Sequence, residues 1–136
     1  MDDVFCKIIR GEVPSHKIYE DDYCLAILDI SQVTKGHILV ISKKHFDNFL
    51  TCDSDIYHKM FDVAQRIGQA QITSLGARGV NILTNCYEAS GQTVKHFHIH
   101  VIPRYENNDG FILTMRENKE DLNLPSLAEF IRKNVK

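Results

Sequence analysis

The chain has 136 residues, of which 43% are hydrophobic and 25% charged, and this composition predicts one globular domain that spans residues 1–136. Its 16 basic and 18 acidic side chains give a net charge of -2, so the overall field does not favour a nucleic-acid polymer or an anionic membrane as a partner. The four cysteines are widely spaced and no apolar run approaches the roughly 18 residues of a membrane span, so we expect a cytoplasmic protein with reduced thiols.

The N-terminal half of the chain predicts one short helix followed by three strands. Apolar residues recur at helical spacing between Asp2 and Arg10, and Gly11 is a typical helix end. Three strand-length runs rich in aromatic and aliphatic residues follow, with polar turn residues between them: Lys17–Glu20, Tyr23–Leu28 and Ile38–Ile41. The third run is apolar throughout, which is typical of a central strand.

The longest helical pattern extends from Asp53 to Leu75, where apolar residues recur every three or four positions on one face and Gly76 can end the helix. After this helix the sequence predicts two further strands, Val80–Cys86 and His96–Ile102. The tail that follows contains one more strand-length segment, Phe111–Met115, and a final helix, Pro125–Lys133. This order of elements predicts an α+β fold with a mainly antiparallel five-stranded sheet, one long helix and a short N-terminal helix.

Three of the seven histidines alternate with apolar residues in the segment His96-Phe97-His98-Ile99-His100-Val101-Ile102. In a strand, side chains two residues apart point to the same face, so the three imidazoles would lie in a row, about 7 Å apart, in front of an apolar core. Because unpaired polar rings are costly to bury, the pattern favours a functional site. Two kinds of chemistry fit such a row, since neutral imidazole is both a zinc ligand and a nucleophile near pH 7.

This segment resembles the histidine-triad (HIT) family, in its small bacterial type related to the Hint branch, whose pattern is His-φ-His-φ-His-φ-φ with φ an apolar residue. The likeness extends from about Phe5 to Arg104 and includes further motifs in the same order: Lys7-Ile-Ile-Arg-Gly-Glu-Val-Pro-Ser15, Leu28-Asp-Ile-Ser31, Gly36-His-Ile-Leu-Val-Ile41, Asn85 and Gly91-Gln-Thr-Val94. It implies a HIT-like fold with a core over about residues 5–104 and a tail over residues 105–136.

The resemblance also implies a mechanism, in which a nucleotide is transferred to a histidine and then released by water without any metal. His98 would be the nucleophile that attacks the α-phosphorus, and His100 would hydrogen-bond the phosphate. His96 would support this arrangement together with His37 from the neighbouring strand.

The nucleotide itself would be held by residues from three separate segments, namely Asp29, Ile30, Asn85, Gly91, Gln92 and Thr93. By resemblance, Asp29 would accept hydrogen bonds from the ribose hydroxyls, Ile30 would lie beside the base, and the others would surround the phosphate. Asp29 and Asn85 are also common turn-forming residues, so their significance comes from occurring together with the histidines.

A structural zinc site is a further hypothesis. Some bacterial members of the family build one from Cys-x-x-Cys and two histidines, and the matching positions here are Asp3, Cys6, His45 and His96. Asp3 stands where the first cysteine would be, so a hard carboxylate replaces a soft thiolate and zinc would be held less tightly.

The function expected from the resemblance is the release of a purine 5′-mononucleotide from a nucleoside phosphoramidate or a related substrate. One alternative is dinucleoside polyphosphate hydrolysis, which the Pro103-Arg104 pair after the histidine row suggests by resemblance to the fragile-histidine-triad branch. Another is a purine nucleotide-binding or interaction module in which hydrolysis is incidental. The family further implies a homodimer in which the two sheets join.

Overall fold

A five-stranded antiparallel sheet forms the centre of the computed structural model, which describes residues 2–136. The strands are β1 (Lys17–Glu20), β2 (Cys24–Leu28), β3 (Ile38–Ser42), β4 (Gly79–Leu83) and β5 (His98–Arg104), in the spatial order β1-β2-β3-β5-β4. The helices are α1 (Val4–Ile9), α2 (Ser54–Leu75) and α3 (Leu124–Asn134), with short 3-10 turns at Phe49–Thr51 and Glu88–Ser90. The expected α+β architecture is confirmed, including the long helix and the short N-terminal helix.

Different helices cover the two faces of the sheet. The apolar side of α2, which includes the buried Met60, packs against Ile99 and its neighbours on one face. On the other face, Phe5 of α1 packs against apolar side chains of β2 and β3. Because side chains alternate along a strand, Ile99 points toward α2 while His98 and His100 point toward the α1 face. Their strand, β5, is hydrogen-bonded to β3 on one side and to β4 on the other, so these two histidines are fixed on a rigid element.

Polar groups and glycines set the ends of the helices. The Asp3 carboxylate accepts a hydrogen bond from the backbone N–H of Cys6 at 2.8 Å, which caps the start of α1. At the end of α2, Gly76 adopts the left-handed conformation with φ 71°, which costs glycine little because it lacks a Cβ. Capping α1 in this way also places Asp3 and Cys6 next to the sheet.

The histidine row is shorter than the alternation predicted, because His96 lies outside the strand. The backbone N–H of His96 donates to Val94 at 2.9 Å, and that of Phe97 donates to the Phe46 carbonyl at 2.7 Å. The chain therefore bends before β5 begins at His98. As a result the fully buried His96 ring occupies different surroundings from those of the half-buried His98 and His100.

The tail also departs from expectation in one segment. Residues 111–115 form no strand, and from Ile112 onward every side chain is exposed, so the segment has left the sheet and has no strand to pair with. The final helix is confirmed as α3, one residue longer at each end than the predicted Pro125–Lys133. None of the helices among residues 2–136 has the length and apolar character needed to span a membrane.

Candidate functional site

A pocket of about 390 Å³ lies on the α1 face of the sheet. Its walls are mostly apolar and come from α1, from the segment that follows α1, and from β2 and β3: Val4, Phe5, Ile8, Val13, Ile27 and Leu39. Polar side chains line the rest of it, including His98 and His100 of β5 and Asn85 of the loop after β4. An apolar slot next to convergent polar groups suits a ligand that has one flat apolar part and one charged part.

The protonation state of His98 can be assigned from one hydrogen bond. Its Nδ1 lies 2.7 Å from the backbone carbonyl oxygen of His96. A carbonyl oxygen only accepts, so Nδ1 carries the proton and the lone pair is on Nε2. Burial lowers the pKa of His98 below its ordinary value of 6.5, and the ring is therefore neutral near pH 7. The edge of the ring also contacts the Phe5 ring, at a centroid separation of 4.9 Å.

A chain of hydrogen bonds orients His100 in the same way. The backbone N–H of Val33 points at His37 Nδ1 at 3.4 Å, which makes His37 Nδ1 an acceptor and leaves the proton on Nε2. His37 Nε2 then donates to His100 Nδ1 at 3.0 Å, so the His100 proton is on Nε2. Each ring thus has its tautomer set by the group behind it, and His100 keeps an N–H group available to a ligand in the pocket.

Burial and nearby charge keep this pair of histidines neutral. Burial, followed by the charges of His98 and His37, lowers the pKa of His100 to about 4. Burial also lowers the pKa of His37, against the opposing effect of the Asp29 carboxylate, whose oxygen lies 3.7 Å from His37 Nε2. The site therefore presents neutral imidazole donors and acceptors near pH 7 instead of imidazolium ions.

The loop between β4 and β5 closes one side of the pocket and is held by its own hydrogen bonds. The backbone amides of Ser90, Gly91 and Gln92 donate to carbonyl oxygens within the loop. The Gln92 amide side chain donates to Asp47 and Val94 carbonyls at 2.6 and 3.0 Å and accepts from a backbone N–H of the loop. Gln92 thus lines the pocket while its side-chain amide holds the loop in place, and the backbone N–H groups of Ser90, Gly91 and Gln92 donate within the loop.

A second cluster lies behind the pocket and consists of Asp3, Cys6, His45 and His96. The His96 Nδ1 atom is 3.0 Å from Asp3 Oδ2, 3.3 Å from His45 Nδ1 and 3.6 Å from Cys6 Sγ. Ligand atoms about 2.0 to 2.3 Å from a tetrahedral zinc ion would be roughly 3.3 to 3.8 Å apart. The spacing of these side chains is therefore that of a four-ligand metal site.

The hydrogen bonds at the Nε2 atoms of His45 and His96 indicate whether their Nδ1 atoms are free to bind a metal. His96 Nε2 lies 2.7 Å from the Ser42 carbonyl oxygen, and His45 Nε2 lies 3.1 Å from the Asp47 carboxylate. Both Nε2 atoms therefore carry the proton, and both Nδ1 lone pairs point at each other and at the Asp3 carboxylate. Such a convergence of lone pairs is unfavourable unless a cation lies between them, so these residues could hold a metal ion.

The sequence-predicted residues separate into two groups in space. The pocket brings together Asp29, Ile30, Asn85, Gly91, Gln92, Thr93, His98 and His100, with His37 behind His100. The cluster holds the other four, and His96 joins the groups because its ring is in the cluster while its carbonyl oxygen contacts His98. The group Asp29, His37 and His100 also has close ligand atoms, but there the two rings are hydrogen-bonded directly to each other.

Several residues of the site carried no recognisable signal in the sequence. Phe5 and Ile8 form a wall of the pocket, but at helical spacing they read as ordinary core residues. Ser42 orients His96 from a position 54 residues away in the sequence, whereas Asp47 orients His45 from a position only two residues away. Tyr87, before the loop turn, has φ 73° and ψ 161°, a conformation almost restricted to glycine. No pattern in the sequence indicates that strain.

An antiparallel five-stranded sheet with a histidine-lined pocket opposite its long helix defines the class of this protein, a small α+β domain whose candidate ligand site is lined by imidazole groups. Within that class the match is specific, because residues 10–107 fit the family model described as HIT domain. The chain therefore belongs to the HIT domain family.

Two relatives show the range of the match in sequence. The chain is 44% identical over 118 residues to Protein hit of Bacillus subtilis strain 168, which covers 87% of this chain and 81% of that protein. It is also 42% identical over 107 residues to the adenylylsulfatase HINT3 of Arabidopsis thaliana, over 79% of this chain and 54% of that protein.

Solved structures agree with this assignment. A HIT family protein from Bacillus anthracis has a TM-score of 0.89 at 43% identity, with 98% of this chain and 96% of that one covered. A HIT family member from Bacillus subtilis has a TM-score of 0.90 at 40% identity, with the same two coverages. A zinc-bound histidine triad family protein from Mycobacterium smegmatis has a TM-score of 0.73 at 38% identity, with 96% of each chain covered.

Proposed function

We propose that this chain releases a purine 5′-mononucleotide from nucleoside phosphoramidates or related substrates through a covalent intermediate on His98. The observation that carries the proposal is the 2.7 Å hydrogen bond from His98 Nδ1 to the His96 carbonyl oxygen, because it leaves the Nε2 lone pair to attack phosphorus. Membership of the HIT family and similarity to a relative named adenylylsulfatase support nucleotide hydrolysis in general. Beyond this general activity, we propose the substrate class and the covalent intermediate.

The proposed reaction has two steps. In the first, Nε2 of His98 forms a bond to the α-phosphorus while the bond from phosphorus to the leaving group breaks, and the leaving group takes up a proton from solvent. In the second, water attacks the same phosphorus, the N–P bond breaks, and the proton lost by the water passes to solvent. Between the steps the substituted ring is positively charged, and the His96 carbonyl oxygen stabilises that charge through Nδ1–H.

The rest of the pocket is assigned by the shape and charge of a nucleotide. The His100 Nε2–H group would donate to a phosphate oxygen, because the His37 bond behind it holds that tautomer. The apolar walls would receive the purine, with Phe5 on one side and Ile30, 89% exposed, at the mouth. Asp29 lines the pocket, and one of its carboxylate oxygens accepts from the Ser31 backbone N–H at 2.8 Å. The other oxygen would accept from the ribose hydroxyls.

The direct test is hydrolysis of adenosine phosphoramidate by the wild type and by His98→Ala. Wild-type protein should release AMP, and rapid acid quenching followed by peptide mass spectrometry should find a nucleotidyl group on His98. The variant should lose at least about 1,000-fold in turnover, as expected for removal of a nucleophile, yet still bind AMP. His58→Ala, at an exposed histidine on α2, is the matched control and should leave turnover unchanged. A His98→Ala protein with normal turnover would eliminate the proposed intermediate.

Dinucleoside polyphosphate hydrolysis finds less support in the site. This alternative rests on the Pro103-Arg104 pair, but the Arg104 guanidinium group donates to Asp109 and Asn81 at 2.6 and 2.8 Å and to two backbone carbonyls. It does not line the pocket among the residues that the structure describes. Rates for adenosine phosphoramidate, adenylylsulfate and a diadenosine polyphosphate, measured side by side, separate these substrate classes. AMP binding without turnover of any of them would instead indicate a binding module.

We further propose that Asp3, Cys6, His45 and His96 hold a structural zinc ion. Zinc would tie α1 to the segment that precedes β5 and would neutralise the converging carboxylate and thiolate. It would take no part in the bond changes at His98. Elemental analysis of protein purified without added metal or chelator should find about one zinc per chain, and Cys6→Ser should reduce that content. Protein that contains no zinc and keeps its thermal midpoint when zinc is added would exclude the site.

A further inference from the structure

The turn that follows β5 is an ordered block held by charge-assisted hydrogen bonds. This anchoring turn comprises residues 105–110. The Asp109 carboxylate accepts from the backbone N–H of Tyr105 at 2.8 Å and from the Arg104 guanidinium group at 2.6 Å. The same guanidinium group donates to the Asn81 side chain of β4 at 2.8 Å. The anchoring turn therefore keeps its shape and is tied to the edge strand of the sheet.

The anchoring turn is joined to the loop before β3, which spans residues 31–36 and leads into His37. The Tyr105 hydroxyl donates to the Lys35 carbonyl oxygen at 2.6 Å. The buried Thr34 hydroxyl donates to a carbonyl oxygen near the end of β5, also at 2.6 Å. Two hydrogen bonds thus hold this loop against the end of β5 and the turn that follows it.

Gly110 makes the closest contact between the anchoring turn and the loop. A Cβ atom at this position would overlap the Val33 carbonyl oxygen and would lie 2.7 Å from the Val33 carbonyl carbon. These are backbone atoms, which cannot rotate away as the end of a flexible side chain could. The backbone of Gly110 is not in the left-handed region, so its conformation alone does not call for glycine. Glycine is needed here because the anchoring turn lies directly on the backbone of Val33.

Val33 is also the residue that distinguishes the two ring nitrogens of His37. Its backbone N–H points at His37 Nδ1 at 3.4 Å, and His37 Nε2 lies 3.0 Å from His100 Nδ1. Two neutral imidazoles can share that hydrogen bond in two ways, since either ring can be the donor. If His37 donates, His100 keeps its proton on Nε2, whereas if His100 donates, its Nε2 is left with a lone pair. The Val33 N–H favours the first arrangement, and so does the Asp29 carboxylate, 3.7 Å from His37 Nε2.

From these contacts, we propose that the anchoring turn positions the His37–His100 pair through Val33, with Gly110 and Tyr105 as positioning residues. By fixing Val33, the turn keeps the Val33 N–H directed at His37 and so keeps the proton of His100 on Nε2. The consequence for catalysis rests on the proposed function, in which the His100 N–H group donates to a phosphate oxygen. The positioning itself concerns only the protein and can be measured without substrate.

Nuclear magnetic resonance of protein that contains isotopically labelled histidine distinguishes the two arrangements, because protonated and unprotonated ring nitrogens have different shifts. Spectra of His37→Asn and His100→Asn assign the signals. In the wild type at about pH 7.5, Nε2 of both rings should carry the proton. Gly110→Ala displaces Val33, so the shifts of Nδ1 and Nε2 in both rings should move toward each other. Tyr105→Phe removes only one hydroxyl and should cause a smaller change in the same direction.

Two variants are matched controls for these substitutions. Gly79→Ala adds the same methyl group at a glycine where a Cβ atom would meet nothing within 4 Å. Tyr19→Phe removes a tyrosine hydroxyl that donates to Asp21 at 2.9 Å, on the edge strand β1 at the other side of the sheet. Both controls should leave the ring shifts of His37 and His100 as they are in the wild type.

Wild-type ring shifts in folded Gly110→Ala would overturn the proposal. If that variant does not fold, Tyr105→Phe decides, and unchanged rings there would overturn the proposal as well. With adenosine phosphoramidate as substrate, kcat of Gly110→Ala should fall by the same factor as the fraction of His100 protonated on Nε2, with KM nearly unchanged. A wild type without any turnover would remove the proposed function, whereas the ring shifts would still test the positioning.

Discussion

The folded protein should lose stability in acid chiefly because its pocket histidines are buried as neutral rings. His100 is the clearest case, since burial and the neighbouring charges of His98 and His37 lower its pKa from 6.5 to about 4. A lowered pKa means that the unfolded chain binds the proton more readily than the folded chain does. The stability contributed by the neutral ring is therefore complete above pH 6.5 and is lost as the pH falls from 6.5 toward 4.

The size of this effect follows from the difference between the two pKa values. Each pKa unit corresponds to about 1.4 kcal/mol, so at pH 4 protonation of His100 should cost the folded state about 3 kcal/mol relative to pH 7.5. The substitution His100→Asn removes the titrating group, while its side-chain oxygen can still accept the proton that His37 Nε2 donates. The free energy of unfolding of this variant should therefore fall by about 3 kcal/mol less than that of the wild type between the two pH values.

Urea unfolding measures this difference. Because the chain has no tryptophan for fluorescence, unfolding is followed by far-ultraviolet circular dichroism. His58→Asn, which removes an exposed histidine from α2, is the control and should follow the wild type at both pH values. If wild type and His100→Asn lose equal stability in acid, the neutral His37–His100 pair is not the source of the pH dependence and the argument from burial is wrong.

Three further predictions concern the pocket. Because burial lowers the pKa of His98, kcat/KM should fall in acid with an apparent pKa below 6.5. An apparent pKa above 6.5 would contradict a neutral nucleophile. Phe5→Ala should cost about 3 kcal/mol in urea unfolding and weaken AMP binding, whereas Val4→Ala, at a 45% exposed neighbour, should change stability by less than about 1 kcal/mol. Asp29→Asn should raise KM about 10-fold for a ribonucleotide substrate and leave KM unchanged for the 2′,3′-dideoxy analogue. An equal rise in KM for both substrates would show that Asp29 does not bind the ribose.

The position of His96 links the proposed zinc site to the proposed nucleophile. Its ring lies among the cluster side chains and is held from behind by the Ser42 carbonyl, while its own carbonyl oxygen sets the tautomer of His98. A metal ion that fixes the His96 ring would therefore also fix the acceptor that orients His98. The two sites are chemically separate, but the backbone of a single residue connects their geometries.

The amino-acid sequence by itself determined most of the helices and strands and identified the residues of the candidate site. Alternation of histidines with apolar residues is specific to a strand, and it correctly assigned His98 and His100 to one face of β5. Periodic apolar residues followed by Gly76 correctly gave the extent of α2, because a glycine can take the left-handed conformation in which helices often end. These features depend on neighbours in the chain, so local patterns are sufficient to predict them.

Only the tertiary structure decided which atoms of these residues contact one another and which remain available. Alternation placed His96 in the same row as His98, but contacts with Phe46 and Val94 bend the chain and send the His96 ring into a cluster with Asp3, Cys6 and His45. In the same way, Gln92 lies at the pocket with its amide committed to the loop. Hydrogen-bond partners and tautomers depend on atoms brought together from distant parts of the chain, and no local pattern records those distances.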